Sequence, residues 1–180
     1  KIIFIIIGVM LLSSLIYIYV NYIDNKSQSF SEESIILNED DEFFIRLFKL
    51  VNKRSKGHLT TQQFYQIFNN IVKYSNIYNL DRYEIAKLIA VESDFIPTAR
   101  NKKTGASGLG QILPSTGRYL NKKYFHQKYY SLFEIDFNIK LCCKYLSVLY
   151  ATKKTRKAVF REYGGCKSNK YLRKIDKIKF

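Results

Sequence analysis

From residue 43 onward the apolar residues recur at helical spacing and almost nowhere alternate, which confines the chain to a predominantly helical domain. "FFIRLFKLV", residues 43–51, reads as a first short helix. Thr60 with Gln63 has the pattern of a capping box ahead of Phe64, Ile67, Phe68, Ile71 and Val72, an unbroken core stripe. Asp81 with Glu84 opens a second capped helix carrying Ile85, Leu88 and Ile89. That helix should end before Pro97, whose ring disfavours helical geometry at Ile96. "ARNKKTGASGLGQILPST", residues 99–116, is rich in Gly, Ser and Thr and includes a substantial loop, in which Ser115 and Thr116 are placed to cap the next helix. Ser131 with Glu134 marks a later start, leading into "FNIKLCCKYLSVLY". A last helical segment covers roughly 152–162, and "YGGCKSN" breaks it. No internal repeat is present. The fold class expected is all-α, with at most a short β element in the loops.

Ahead of this domain, residues 2–20 form a run of 19 residues without a charge. At about 1.5 Å per residue such a helix approaches the ~30 Å hydrocarbon core of a bilayer. No small-x-small exit follows Tyr19, so an uncleaved N-terminal transmembrane helix is expected over residues 1–22 rather than a cleaved signal peptide. Lys1 precedes the run and no basic cluster follows it, which puts the remainder of the chain outside the cytoplasm. Residues 23–42 are polar and acidic and read as a tether to the helical domain, 43–180.

Charge is uneven. The net is +15, yet residues 21–50 hold seven acids against three bases, while 51–180 hold eight acids against 26 bases. A domain this basic suits a polyanion, whether nucleic acid, an acidic membrane surface or an anionic cell wall, although a solvated lysine surface has the same composition. Cys142, Cys143 and Cys166 are odd in number and match no zinc spacing; one bridge to Cys166 or three free thiols are both open. No metal or cofactor is expected.

The stripe Ile85, Leu88, Ile89 continues to position 92, which is a glutamate. Burying a carboxylate costs several kcal/mol unless it is hydrogen-bonded or protonated. Glu92 is therefore either a satisfied core group or a cleft residue whose raised pKa suits a general acid. Glycines 105, 108 and 110 follow closely and allow the backbone to approach a ligand. Gln111 supplies an amide suited to sugar hydroxyl and acetamido groups. Tyr163 stands at a helix end against a glycine pair.

The order Glu92-Ser93, then Gly108-Leu109-Gly110-Gln111 with Pro114 and Thr116, then Asn138-Ile139 with Tyr145-Leu146, then Tyr163 resembles the lytic transglycosylase (SLT) domain of the lysozyme-like superfamily. Its usual pattern is Glu-Ser, Gly-Leu-Met-Gln, Asn-Ile-x-x-Gly-x-x-Tyr-Leu and Ala-Tyr-Asn, and the likeness spans about residues 79 to 175. Departures are Gly110 for Met, Cys142 for the helix glycine, and Glu162 and Gly164 beside the tyrosine.

The resemblance implies a lysozyme-like fold that cleaves the β-1,4 bond between N-acetylmuramic acid and N-acetylglucosamine in peptidoglycan. Glu92 would serve as acid and then base, giving 1,6-anhydro ends without water. Tyr163 would hydrogen-bond and orient Glu92, while Ser93, the 108–111 backbone and Gln111 would hold the sugar. One carboxylate suffices for this scheme, and no acid lies between Asp94 and Glu134; Asp94 points about 200° away from Glu92 on a helix and reads as solvated or capping. A hydrolytic muramidase and a non-catalytic wall-binding scaffold remain alternatives, while the expected anchor argues against nucleic acid. The expected location is the cytoplasmic membrane with the domain on its outer side, serving wall turnover or a secretion, pilus or flagellar assembly.

Overall fold

The computed structural model describes residues 39–165 and 168–180, all within the unit Leu37–Phe180. The apolar run 2–20 and Cys166 lie outside them. Among the described residues no helix is long and apolar enough to cross a membrane.

Among the described residues seven α-helices follow one another: α1 Glu39–Ser55, α2 Thr61–Tyr78, α3 Arg82–Ser93, α4 Pro114–Leu120, α5 Ile135–Thr152, α6 Arg156–Tyr163 and α7 Lys170–Asp176. A π-helical turn, Asn121–Phe125, extends α4. Strand character among the described residues is limited to single-residue bridges of Ser107 with Arg100 and with Ile112.

Helix α1 begins inside the stretch expected to be tether. Glu39, Asp40, Asp41 and Glu42 form its first turn and Lys53 and Arg54 its last, the arrangement that the helix dipole favours. Asp40 is also drawn inward by an ion pair with Arg82 on α3. Helix α2 carries the full Thr60–Gln63 capping box. Asp81 caps α3 through the Tyr83 amide, but Glu84 turns away to Tyr150 and Arg156, so only half of that box forms.

Two further starts differ from expectation. Pro114 itself occupies the first turn of α4, where its missing N–H leaves nothing unsatisfied, so Ser115 and Thr116 lie inside the helix. Ser131 receives the Phe133 amide instead of capping α5, and Glu134 takes the cap position without a side-chain bond. The last expected segment divides in two: α5 runs through Thr152, and α6 starts at Arg156 behind its cap Thr155.

Helix α5 is the centre of the domain. Phe137, Ile139, Leu141, Cys142, Cys143 and Leu146 are all buried, and helices α2, α4 and α6 pack around it. A helix apolar on most sides has to be surrounded in this way. Phe44 and Phe48 of α1 meet Phe64 of α2 edge to face at 5.3 and 5.2 Å, closing one end of the core. Helix α3 packs against α1, α2 and α7, which sets the surroundings of its last turn.

Asn138 ties the long loop to the central helix. Its Oδ1 accepts from the Gly110 amide at 2.8 Å, and its Nδ2 donates to the Ser107 and Leu132 carbonyls at 3.0 and 2.7 Å. A buried amide with three backbone partners leaves all three unsatisfied when removed. The Asn138→Leu variant should lose on the order of 3 kcal/mol of unfolding free energy, measured by urea denaturation; a loss below about 1 kcal/mol would contradict this role.

Candidate active site

Helix α3 directs Ile85, Leu88 and Ile89 into the core, and the same face brings Glu92 to its end, half-buried. Asp94 and Phe95 then take left-handed conformations, φ 52° and 62°, and stop the helix well before Pro97. Arg54 of α1 secures this end: its guanidinium donates to the Ala90 carbonyl at 2.8 Å and pairs with Asp94 at 2.5 Å. Asp94 is thus the helix cap, engaged by Arg54.

Burial pushes the Glu92 carboxyl up to about 6, opposed in part by a hydrogen bond from Tyr171 and by the charge of Lys174. The Tyr171 hydroxyl donates to Glu92 Oε1. Both opposing groups come from α7, so one helix supplies the carboxylate with its donor and its countercharge.

Tyr163 does not take the part expected of it. Its hydroxyl donates to the Gly110 carbonyl at 2.9 Å and lies 3.3 Å from Cys142 Sγ. A phenol has one proton to give, and here the loop receives it. Burial raises the Tyr163 pKa well above the usual phenol range, with Cys142, Tyr171 and Glu92 adding to the effect. Its ring stacks on that of Tyr171, centroids 6.4 Å apart. Tyr163 therefore stands behind the tyrosine that touches Glu92.

The departures at Gly110 and Cys142 prove to be one packing arrangement. A Cβ on Gly110 would stand 3.0 Å from the Tyr163 hydroxyl, 3.0 Å from Cys142 Cβ and 3.2 Å from its Sγ. The thiol on α5 thus fills the space that a loop side chain would enter. Gly108 is required twice over: its φ is +78°, and a Cβ there would meet the Leu132 carbonyl oxygen at 2.1 Å and Asn138 Nδ2 at 2.2 Å.

The loop's polar groups turn inward. Gln111 Nε2 donates to the Ala99 and Gly108 carbonyls at 3.1 and 2.9 Å, which commits the amide expected to meet a sugar. Leu109 is fully buried in the core. Ser93 is buried as well, with its hydroxyl bonded to the Ile89 carbonyl of its own helix. The structure thus brings Glu92 near Tyr163 and braces the 108–111 loop against Tyr163, but it turns Ser93, Leu109 and the Gln111 amino group away from any ligand. Cys142 and Cys143 are free and buried.

Tyr171 was missed because "YGGCKSN" reads as the end of helical structure. The available signal was Tyr171 with Ile175, an i, i+4 apolar pair. Hollows of about 340 and 510 Å³ occur elsewhere, one beside Asp81, Glu84 and Tyr150 and one beside Lys49, Lys53 and Phe180; Glu92 lines neither.

The raised pKa has a consequence for stability. Folding shifts Glu92 from 4.5 to about 6, so the folded state binds more protons between those values and loses stability as pH rises through them. The loss should amount to roughly 2 kcal/mol. Denaturation curves from pH 4 to 8 should show this decline, and the Glu92→Gln variant should lack that part of it. An identical decline in both proteins would assign it to other groups.

Three comparisons bear on this site. A family model described as the transglycosylase SLT domain matches residues 69–170, ending one residue before Tyr171. No curated protein matches the chain. Among solved structures, an inactive mutant of the lytic transglycosylase Slt from Pseudomonas aeruginosa is similar at 21% identity and a TM-score of 0.47, over 59% of this chain and 22% of that one. The chain thus corresponds to about a fifth of that protein's length. The family match covers more than half of the sequence and takes in the end of α3, the glycine loop, α5 and α6: the chain belongs to the transglycosylase SLT domain family.

Proposed function

We propose that this protein is a peptidoglycan lytic transglycosylase with Glu92 as its single acid/base. The observation that carries the proposal is the half-buried Glu92 carboxyl, raised to about 6 and held by a phenol, in a domain of this family. Near neutral pH a useful fraction of such a group is protonated. It would give its proton to the glycosidic oxygen as the bond from muramic acid C1 breaks. The resulting carboxylate would then take the proton of the muramic C6 hydroxyl while that oxygen bonds to C1. The products are a free 4-hydroxyl on one sugar and a 1,6-anhydro ring on the other, with no water consumed.

A hydrolase of the usual two-carboxylate type needs a second acid across the bond. Asp94, the nearest in sequence, is engaged by Arg54, and residues 95–133 contain no acid. This supports the intramolecular route. Tyr171 would position Glu92 by fixing one carboxylate oxygen, leaving the other for substrate. Tyr163 and Asn138 would act a step further back by holding the loop at Gly110. A non-catalytic wall-binding protein is the second reading, favoured by the inward commitment of the Gln111 amide and the Ser93 hydroxyl. In either reading residues 2–20 would anchor the domain outside the cytoplasmic membrane, where it could serve a secretion system, pilus or flagellum.

The full chain, incubated with purified peptidoglycan, should release muropeptides one water lighter than hydrolysed ends by mass spectrometry. The Glu92→Gln variant should lose at least about a hundredfold in rate. Reducing ends would make the protein a muramidase, and wall binding without release would favour the scaffold.

The pH profile tests Tyr171 separately. Protonated Glu92 is the competent acid, so the rate should fall as pH rises through about 6. Tyr171's hydrogen bond lowers that pKa, so Tyr171→Phe should move the alkaline limb to higher pH while reducing the maximal rate. A limb that stays in place would remove Tyr171 from the positioning role.

A further inference from the structure

The segment 95–133 contains seven Lys and Arg residues and no acid. Every ion pair formed within the described residues lies outside it, joining Arg46, Arg54, Lys73, Arg82, Lys153 and Arg156 to carboxylates. Arg118, Lys122, Lys123 and Lys128 are exposed and have no carboxylate partner among the described residues. Exposed apolar groups are concentrated in the same segment. Of the five large hydrophobic side chains exposed among the described residues, four are Leu113, Tyr119, Tyr129 and Phe133, and Tyr129 is 81% exposed.

This surface is built rather than frayed. Helix α4 passes into the π-helical turn and ends at His126 in a left-handed conformation. The buried Asn121 side chain then grips Gln127 from both sides, donating to its carbonyl at 2.9 Å and accepting from its amide at 3.1 Å. Lys123 lies over the rings of Tyr119 and Tyr124, and Lys144 of α5 lies 4.1 Å from the centre of the Tyr124 ring.

A solvated lysine face accounts for the cations but not for Leu113, Phe133 and two tyrosines among them. A soluble polyanion accounts for cations and tyrosines but gives leucine and phenylalanine nothing. The headgroup region of an anionic bilayer takes all of them: phosphates for the lysines, the interface for the tyrosines and the acyl boundary for the apolar side chains. We propose that the face formed by α4, the π-helical turn and the loop to α5 docks on an anionic phospholipid surface, as a contact additional to the anchor expected at residues 2–20.

The chain contains no tryptophan, so Tyr129→Trp installs a single reporter at the most exposed ring. In the full chain, reconstituted into vesicles, this reporter reads where residue 129 sits irrespective of how the chain is anchored. With phosphatidylglycerol-containing vesicles its emission should shift to the blue and be quenched by brominated acyl chains; with phosphatidylcholine alone it should do neither. Adding Lys122→Gln, Lys123→Gln and Lys128→Gln should weaken the response about fivefold per lysine, and 1 M salt should suppress it. Emission at the water-exposed position in both vesicle types would overturn the proposal. So would a shift caused by peptidoglycan or duplex DNA and not by anionic vesicles.

Discussion

Asn138 is the contact on which the geometry of the site depends. The loop's glycines have no side chains to anchor them, and their conformational entropy has to be offset by bonds made to something rigid. The central helix α5 is enclosed by α2, α4 and α6, and its one buried amide reaches three backbone groups on the loop and on the approach to α5. Tyr163 adds a second bond, to the Gly110 carbonyl. Between them both polar groups of the Gly110 backbone are satisfied from the protein side, and the loop becomes a fixed wall.

That wall matters because Glu92 is held by a different part of the structure. Its helix is secured at the C-terminal end by Arg54 from α1, and its carboxylate by Tyr171 from α7. Both residues lie outside the stretch that matches the family model. The domain thus keeps an unfavourable buried carboxyl in place with elements contributed from either side of the family core. In the proposed function that cost has a use: the burial that raises the Glu92 pKa would also make it a usable acid near neutral pH.

The helical class was legible because periodicity depends on which residues face inward, and the stripes of α2 and α3 fall where the pattern puts them. Caps were legible only where the reading required nothing beyond the local chain. Thr60 and Gln63 bond each other as expected, whereas Glu84 was claimed by Tyr150 and Arg156, 66 and 72 residues away. Glu92 stood out because a carboxylate interrupts an apolar stripe. Tyr171 did not, because one tyrosine among 15 carries no mark of what it will touch.

The sequence by itself determined the helical architecture, the place of the acid at a helix end, and the absence of any carboxylate between Asp94 and Glu134. Those are properties of spacing and composition, which a linear chain states outright. Only the tertiary structure decided which tyrosine meets Glu92, that the Gln111 amide and the Ser93 hydroxyl turn inward, and that Gly110 and Cys142 share one space. Each of these is a competition between side chains distant in sequence for the same donor, acceptor or volume. A one-dimensional pattern lists the competitors, but their separations in the folded chain decide between them.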